Sequence, residues 1–144
     1  MTALFTALRF ACWTAALLPL QMILVRLNLP LAKRIPMIYH RGVSRIIAFK
    51  IERHGEMSRT RPTLFVCNHS SYLDITMYGA VLPGSFVAKL EVRSWPLFGL
   101  LARLQRTVFV ERRAVRTAAH RDEMQQRLER GDNLILFPEG TSND

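Results

Sequence analysis

A histidine and an aspartate five positions apart carry the strongest chemical signal in the chain. Residues 68–74 read NHSSYLD. If His69 lies in a loop and Asp74 in the first turn of the next helix, the carboxylate can hold one ring nitrogen and stabilise the imidazolium. The other nitrogen can then take a proton from a substrate hydroxyl. The alternative is structural, because Ser71 and Asp74 have the spacing of a helix capping box, and spacing alone favours that alternative.

A second cluster places two fixed positive charges directly after an apolar run. Residues 107–113 read TVFVERR. The guanidinium groups of Arg112 and Arg113 suit a phosphate, which arginine binds bidentately. Taken alone, however, the cluster is better explained as the solvated start of a helix.

A third cluster, FPEGT at residues 137–141, ends another apolar run. The carboxylate of Glu139 can accept a hydrogen bond from a substrate hydroxyl, and Gly140 lets backbone amides approach a ligand closely. An ordinary turn from a strand into a loop explains the same residues equally well.

Several other kinds of chemistry have no support in the sequence. It contains no G-x-S-x-G, P-loop, G-x-G-x-x-G or H-E-x-x-H motif. Cys12 and Cys67 have no cysteine or histidine at metal-ligand spacing, and Cys67 is expected to be a small buried hydrophobe. His40, His54 and His120 are expected to lie on the surface rather than to act as ligands.

The three clusters each follow a short apolar run, and these runs alternate with helical segments. Strands are predicted at 45–53, 63–67, 85–88, 107–110 and 133–137, and helices at 72–81, 95–103 and 113–130, the last ended by Gly131. The wholly apolar run at 63–67 predicts a strand buried on both faces. This alternation predicts an α/β fold, in which functional residues gather in the loops after the strands.

The N-terminal part predicts a membrane anchor, which we place at residues 1–32. Residues 10–25 carry no charge, although Pro19 makes a kink or two short helices as plausible as one straight span. The anchor can therefore cross the bilayer or form an interfacial hairpin. A cleaved signal peptide fits poorly, since no small-x-small site follows the run, and a buried helix of a soluble core is the remaining alternative.

Charge and composition agree with a membrane surface. The chain has 144 residues, 49% of them hydrophobic and 22% charged, which argues against both a disordered tail and a polytopic membrane protein. Of its net charge of +9, a share of +6 lies in residues 33–63, which hold eight Lys or Arg and two Glu. This charge favours anionic headgroups on the cytoplasmic side. Nucleic-acid binding is the rival explanation, but it predicts interleaved aromatic residues on a groove-binding element, which the sequence does not contain.

Taken in order, the three clusters resemble the motifs of the glycerolipid acyltransferase family, of which 1-acyl-glycerol-3-phosphate acyltransferase is the best known member. The residues that match are Asn68, His69, Ser71 and Asp74 in the first motif, Phe109, Val110, Glu111 and Arg112 in the second, and Phe137, Pro138, Glu139, Gly140 and Thr141 in the third. Two positions depart from the pattern, because Arg106 replaces the usual Gly and Ser142 the usual Arg. The resemblance covers about residues 35–144.

The resemblance implies the reaction and the roles of these residues. A fatty acyl group would pass from acyl-CoA or acyl carrier protein to the free hydroxyl of lysophosphatidic acid, giving phosphatidic acid, with no metal and no other cofactor. His69 would be the general base and Asp74 would orient it. Arg112 would hold the phosphate, while Glu139, Gly140 and Thr141 would shape the pocket. Supporting roles would fall to Asn68, Ser71, Phe109 and Pro138.

The resemblance also implies a mixed sheet flanked by helices, and a site at the cytoplasmic face of a bacterial inner membrane. Ser142 leaves room for another acceptor, such as a lyso-ornithine lipid. The family's fourth motif is not found before Asp144, so residues 33–144 are expected to be the N-terminal part of the domain, with strand 133–137 left at an exposed edge. An inactive, membrane-bound remnant is therefore the alternative to an active enzyme.

Overall fold

The computed structural model describes residues 3–110 and 118–138, with the backbone alone at 118–122. The chain forms two compact units, one made of Met1–Gly55 with Tyr72–Pro83 and the other of Glu56–Ser71 with Gly84–Asp144. The helices are α1 (Ala3–Arg26), α2 (Ile35–Ile46), α3 (Leu73–Val81), α4 (Phe98–Leu104) and α5 (Ala118–Glu129), and short 3-10 helices lie at Pro30–Lys33 and Leu90–Ser94. The strands are β1 (Leu64–Val66), β2 (Ser85–Lys89), β3 (Val108–Val110) and β4 (Leu134–Leu136).

The first unit begins with the predicted apolar segment, which folds as one uninterrupted helix, α1. Pro19 lies inside this helix without ending it, so of the alternatives left open by the sequence, the division into two short helices does not occur. At 24 residues α1 is long and apolar enough to cross a membrane, and most of it is exposed within the protein. Length and composition are thus compatible with the predicted anchor.

Helix α2 and the short 3-10 helix before it are tied to α1 by polar contacts. The indole Nε1 of Trp13 donates a hydrogen bond to the carbonyl of Tyr39 at 3.1 Å. The side-chain amide of Gln21, which is buried, donates to the carbonyl of Ala32 at 3.0 Å. Since a Cβ at Gly42 would overlap the indole of Trp13, the glycine allows the two helices to pack closely.

The strand predicted at 45–53 is wrong, because α2 extends to Ile46 and the residues after it form no strand. Two residues after the helix, Ala48 is left-handed, with a φ of 56°. The amide of Phe49 donates to the carbonyl of Ser44 at 2.8 Å, and that of Ala48 to the carbonyl of Arg45 at 3.3 Å. This is the Schellman pattern of a helix C-terminus, in which the last carbonyls of the helix accept hydrogen bonds from the residues that follow it. In a strand, those carbonyls would be paired with a neighbouring strand instead.

His40 is buried, so the prediction that it lies on the surface is wrong. Only 4% of the residue is exposed, and its ring lies against Gly79 of α3, where a Cβ would overlap it. The next residue, Arg41, donates from Nε to the carbonyl of Ala80 at 2.9 Å. Packing of α2 on α3 therefore accounts for the buried imidazole, whereas His54 is exposed as predicted.

The second unit contains a sheet in which all four described strands are parallel, in the order β1-β4-β2-β3. The predicted α/β class is confirmed, and the described strands form none of the antiparallel pairs of the expected mixed sheet. Strand β4 lies between β1 and β2, so the exposed edge expected at 133–137 is wrong. Within the described sheet β1 is an outer strand, and Leu64 and Val66 are 40% and 62% exposed. Burial of β1 on both faces is therefore also a wrong prediction.

Both faces of this sheet carry buried residues, with Phe86 and Ile135 on one face and the main hydrophobic cluster on the other. This cluster consists of Val87, Val108, Val110 and Leu134, with Leu136 and the α5 side chains Met124 and Leu128 packed against them. Helix α5 ends as predicted at Gly131, which has a φ of 79°. The opposite face of the sheet carries the aromatic residues that lead to the candidate site.

Candidate active site

The carboxyl ends of the parallel strands lie at one edge of the sheet, where the first motif begins. The amide of Cys67, just after β1, donates to the carbonyl of Leu136 in β4 at 3.0 Å. This bond extends the pairing of the two strands by one residue. His69 follows two residues later in the loop, half-buried. The predicted loop position of His69 is thereby confirmed.

The imidazole of His69 lies on the ring of Phe137, the first residue of the third motif. The two ring centroids are 4.4 Å apart and the planes meet at 22°. Phe137 in turn faces the buried Phe86 of β2, with centroids 6.0 Å apart and an angle of 21°. Because Phe86 is paired in register with Ile135, two residues before Phe137, both phenyl rings project from the same face of the sheet.

This stack brings the first and third motifs together and suits a proton-transferring histidine. Stacking occupies a face of the imidazole, whereas its two nitrogens bind partners in the plane of the ring. Phe137 can therefore fix the tilt of the His69 ring without occupying either nitrogen. The sequence identifies Phe137 only as a motif residue, and no spacing in it points to the contribution of Phe86.

Asp74 lies in the first turn of α3, as predicted for an orienting carboxylate. The helix begins at Leu73, and its N-cap is Tyr72, whose side chain makes no capping hydrogen bond. Tyr72 has helical backbone angles, with a φ of −57° and a ψ of −23°, so the capping-box alternative, with Ser71 before the first helical turn, stays open beside the orienting role. Asp74 belongs to the first unit and His69 to the second, and their pairing stays a prediction.

The other predicted ligand-binding residues follow β3 and β4. Glu111, Arg112 and Arg113, and likewise Glu139, Gly140, Thr141 and Ser142, lie outside the described residues. Two other motif residues, Phe109 and Pro138, precede them in the chain and are described, near the carboxyl edge of the sheet. Phe109 is a half-buried residue of β3, and Pro138 is exposed directly after Phe137.

The structure explains why glycine is usual at the position of Arg106. This residue has a φ of 61°, a conformation that glycine adopts without strain. Here the guanidinium of Arg106 contacts the carboxylate of Asp132 at 3.3 Å. Burial lowers the pKa of Arg106, while the charge of Asp132 opposes this shift and that of Arg127 adds to it. The ion pair is thus a contact that a glycine could not make.

No metal-binding cluster of three or more His, Cys, Asp or Glu side chains occurs within residues 3–110 and 118–138.

Comparison with known proteins identifies related enzymes. The model of the acyltransferase family matches residues 50–144. The lyso-ornithine lipid O-acyltransferase of Rhizobium meliloti is 43% identical over 89% of this chain and 44% of its own length. That of Brucella abortus is 44% identical over 90% of this chain and 49% of its own length.

A second kind of relative shares a smaller part of the chain. The 1-acyl-sn-glycerol-3-phosphate acyltransferase of Neisseria gonorrhoeae is 38% identical over 56% of this chain and 32% of its own length. The chain thus spans less than half the length of these three relatives. No solved structure matches it.

Proposed function

The chain belongs to the acyltransferase family, and we propose that it transfers a fatty acyl group from a thioester to the free hydroxyl of a lyso-lipid, with lyso-ornithine lipid as the acceptor. The observation that carries this proposal is the stack of His69 on Phe137, which joins the first and third motifs at the carboxyl edge of the sheet. A general base held at such an edge is what direct acyl transfer to a hydroxyl needs.

In the proposed reaction, His69 takes the proton of the acceptor hydroxyl as its oxygen attacks the thioester carbonyl. The C–S bond then breaks, and the imidazolium returns the proton to the departing thiolate. Asp74 holds the other ring nitrogen and stabilises the imidazolium. Acyl-CoA or acyl carrier protein supplies the thioester, and this route forms no acyl-enzyme.

The acceptor site is proposed at the loops that follow β3 and β4. Arg112 binds the carboxylate of the acceptor headgroup, and Glu139, Gly140 and Thr141 shape the pocket around the reacting hydroxyl. Ser142 in place of the usual Arg removes one cation. That loss suits the single negative charge of an ornithine carboxylate better than the charge of a phosphate monoester.

The names of the relatives support this choice of acceptor. The two lyso-ornithine lipid enzymes match about nine tenths of the chain, whereas the Neisseria enzyme matches little more than half. Lysophosphatidic acid is the second candidate acceptor, favoured by the Neisseria relative and by the paired cations Arg112 and Arg113.

We place the enzyme at the cytoplasmic face of a bacterial inner membrane. Residues 1–32 would anchor it and residues 33–144 would form the N-terminal part of the acyltransferase domain. The excess of basic residues at 33–63 would hold it to anionic headgroups.

The test is an acyl-transfer assay with membranes of a host that makes no ornithine lipid. Membranes carrying the 144-residue chain receive lyso-ornithine lipid or lysophosphatidic acid, each with acyl-CoA or acyl carrier protein as donor. We expect thioester-dependent ornithine lipid, lost in His69→Ala by about a hundredfold or more. The matched control is His54→Ala, the same change at an exposed histidine, which should leave the rate unchanged.

If the chain makes no product, a chimera distinguishes an inactive site from a site that needs the rest of a relative's length to work. In it, the 144 residues replace the matching segment of the Rhizobium meliloti enzyme. Activity of the chimera that requires His69 supports the proposal even if the shorter chain makes no product. A chimera that is folded, lies in the membrane and yet acylates neither acceptor contradicts it.

A further inference from the structure

The loop at residues 95–98 of the second unit exposes three large apolar side chains in sequence. Residues 95–97 join the 3-10 helix Leu90–Ser94 to α4, and Phe98 is the first residue of α4. Trp95, Leu97 and Phe98 are 44%, 57% and 65% exposed. A soluble surface tolerates single apolar side chains, but three together in one loop mark a surface that contacts something apolar.

The backbone of this loop is strained at its tip. Leu97 has a φ of 59° and a ψ of −55°, and the amide of Phe98 donates to the carbonyl of Pro96 at 2.6 Å. These are the features of a γ-turn of the rare kind, which is unfavourable for a residue with a side chain. Strained backbone of this kind tends to persist at functional sites, where the surroundings hold it.

Neighbouring backbone groups hold the loop in place. The amide of Trp95 donates to the carbonyl of Val92 at 3.2 Å, and the amide of Gly99 donates to the carbonyl of Trp95 at 2.9 Å. A Cβ at Gly99 would overlap the carbonyl of Arg93, so only a glycine permits this close approach. The apolar side chains are therefore presented by a fixed turn, which lowers the entropy lost on binding.

The charges around the apolar tip point to the nature of its partner. Within residues 89–103, Lys89, Arg93 and Arg103 stand against the single carboxylate of Glu91, a net charge of +2. Arg93 and Arg103 are exposed. An apolar tip that includes a tryptophan and is flanked by cations matches the boundary between the anionic headgroups and acyl chains of a bilayer.

The loop also lies on the functional side of the sheet. It follows β2 at the carboxyl end of that strand, and the preceding 3-10 helix contacts both β2 and β3. His69 and Phe137 follow β1 and β4 at the same edge. A surface that holds this edge against the bilayer would bring the base near hydroxyls of membrane lipids.

We propose that the 95–98 loop inserts Trp95, Leu97 and Phe98 into the surface of an anionic bilayer, as a membrane contact separate from α1. The contact goes beyond acyl transfer, since it requires neither an acyl donor nor an active His69. Its test therefore measures insertion and not turnover, so it can fail while the proposed reaction stands, or succeed while that reaction fails.

The two tryptophans of the chain allow a direct measurement. In the full chain carrying Trp13→Phe, Trp95 is the remaining indole. The protein is reconstituted in vesicles of phosphatidylcholine and phosphatidylglycerol in equal parts, whose acyl chains are brominated in one series. We expect bromine to reduce Trp95 fluorescence about twofold or more, as for an indole at the headgroup–acyl boundary, and the bilayer to shield it from acrylamide.

Two variants serve as comparisons. In Trp13→Phe/Trp95→Phe/Gln126→Trp the indole lies on an exposed position of α5 and should remain open to acrylamide. Leu97→Asp in the Trp13→Phe protein should restore access of acrylamide to Trp95 while α1 keeps the protein in the vesicles. Retained circular dichroism shows that each variant is folded.

Two results would overturn the proposal. The first is a Trp95 that acrylamide reaches in vesicles as readily as the indole at position 126. The second is shielding of Trp95 that depends on protein concentration and is equal in brominated and plain lipid, which would assign the loop to contact between copies of the chain.

Discussion

The imidazole of His69 is stacked on Phe137, with ring centroids 4.4 Å apart. These residues lie 68 positions apart in the sequence, and they meet because β1 and β4 are neighbours in a parallel sheet. The ring of Phe137 in turn packs against the ring of the buried Phe86. The ring that contacts the candidate base thus directly follows a sheet strand and packs against a buried residue of the sheet, which gives the base a defined orientation.

Replacing Phe137 should therefore impair turnover more than binding. In Phe137→Leu we expect kcat to fall about tenfold or more with little change in KM, because the base is misaligned while the acceptor loops remain. Phe137→Tyr keeps the stack and should retain most activity. The matched control is Phe65→Leu, the same change on the same face of the outer strand β1.

The NMR chemical shifts of the His69 ring protons test the stack directly, because a change in stability alone would not alter them. The chain has four histidines, so the ring protons can be assigned by single substitutions. Stacking on Phe137 should shift the His69 protons upfield. Phe137→Leu should abolish this shift and Phe137→Tyr should preserve it. A His69 spectrum identical in the native protein and Phe137→Leu would show that the stack does not exist in solution.

The sequence predicts the elements of the second unit better than their arrangement. Each described strand coincides with a predicted run, with β2 extending one residue beyond it to Lys89, because short β-branched and apolar runs between turn residues favour strands locally. The central place of β4 is not predicted, since pairing of Leu64 with Leu134 depends on the whole fold. The motif residues His69 and Phe137 are found by their types, but their contact is not.

The first unit shows how tertiary packing overrides local pattern. Residues 45–53 have the β-branched composition of a strand, yet α2 continues into them because its other residues pack on α1 and α3. His40 has no neighbour in sequence that predicts burial. The space that accepts its ring exists because Gly79 lacks a side chain.

This contact predicts a specific defect in Gly79→Ala. The added methyl would overlap the buried imidazole of His40, so we expect a loss of about 1–3 kcal/mol in stability. Thermal unfolding in detergent, followed by circular dichroism, measures it. In a His40→Ala background the same change should have a much smaller effect, because the ring is no longer there. Equal effects in both backgrounds would contradict the contact.

A buried carboxylate at the amino edge of the sheet should be essential for stability. Asp132, 7% exposed, accepts hydrogen bonds from Arg127 at 2.7 Å and Arg106 at 3.3 Å. Arg127 also donates to the hydroxyl of Ser85 at 3.1 Å and to the carbonyl of Arg106 at 3.3 Å. The cluster thus joins the first residue of β2 to the residues just before β3 and β4.

Asp132→Asn should lower the free energy of unfolding by about 3 kcal/mol, since it leaves two partly buried guanidinium groups without their counterion. The matched control is Glu129→Gln at the nearby end of α5, where an exposed carboxylate accepts a hydrogen bond from Gln125 at 2.8 Å. That change should stay within about 0.5 kcal/mol. A small effect of Asp132→Asn in thermal unfolding would show that the cluster does not hold the strands together.

The reactivity of Cys67 distinguishes a general-base histidine from a cysteine–histidine pair. Cys67 lies two residues before His69, and a nucleophilic thiol next to an imidazolium would have a lowered pKa. Burial instead raises the pKa of Cys67. Since the thiolate is the reactive form, a raised pKa means less thiolate at neutral pH.

The Cys12→Ser variant leaves Cys67 as the thiol to be alkylated by iodoacetamide. At pH 7 its alkylation rate should therefore be lower in the folded protein than in the unfolded chain. The rate should increase about tenfold per pH unit, and this increase should continue past the ordinary thiol pKa of about 8.5. Mass spectrometry follows the modification, and fast, pH-independent alkylation near pH 7 would instead favour an activated thiol and a covalent acyl intermediate.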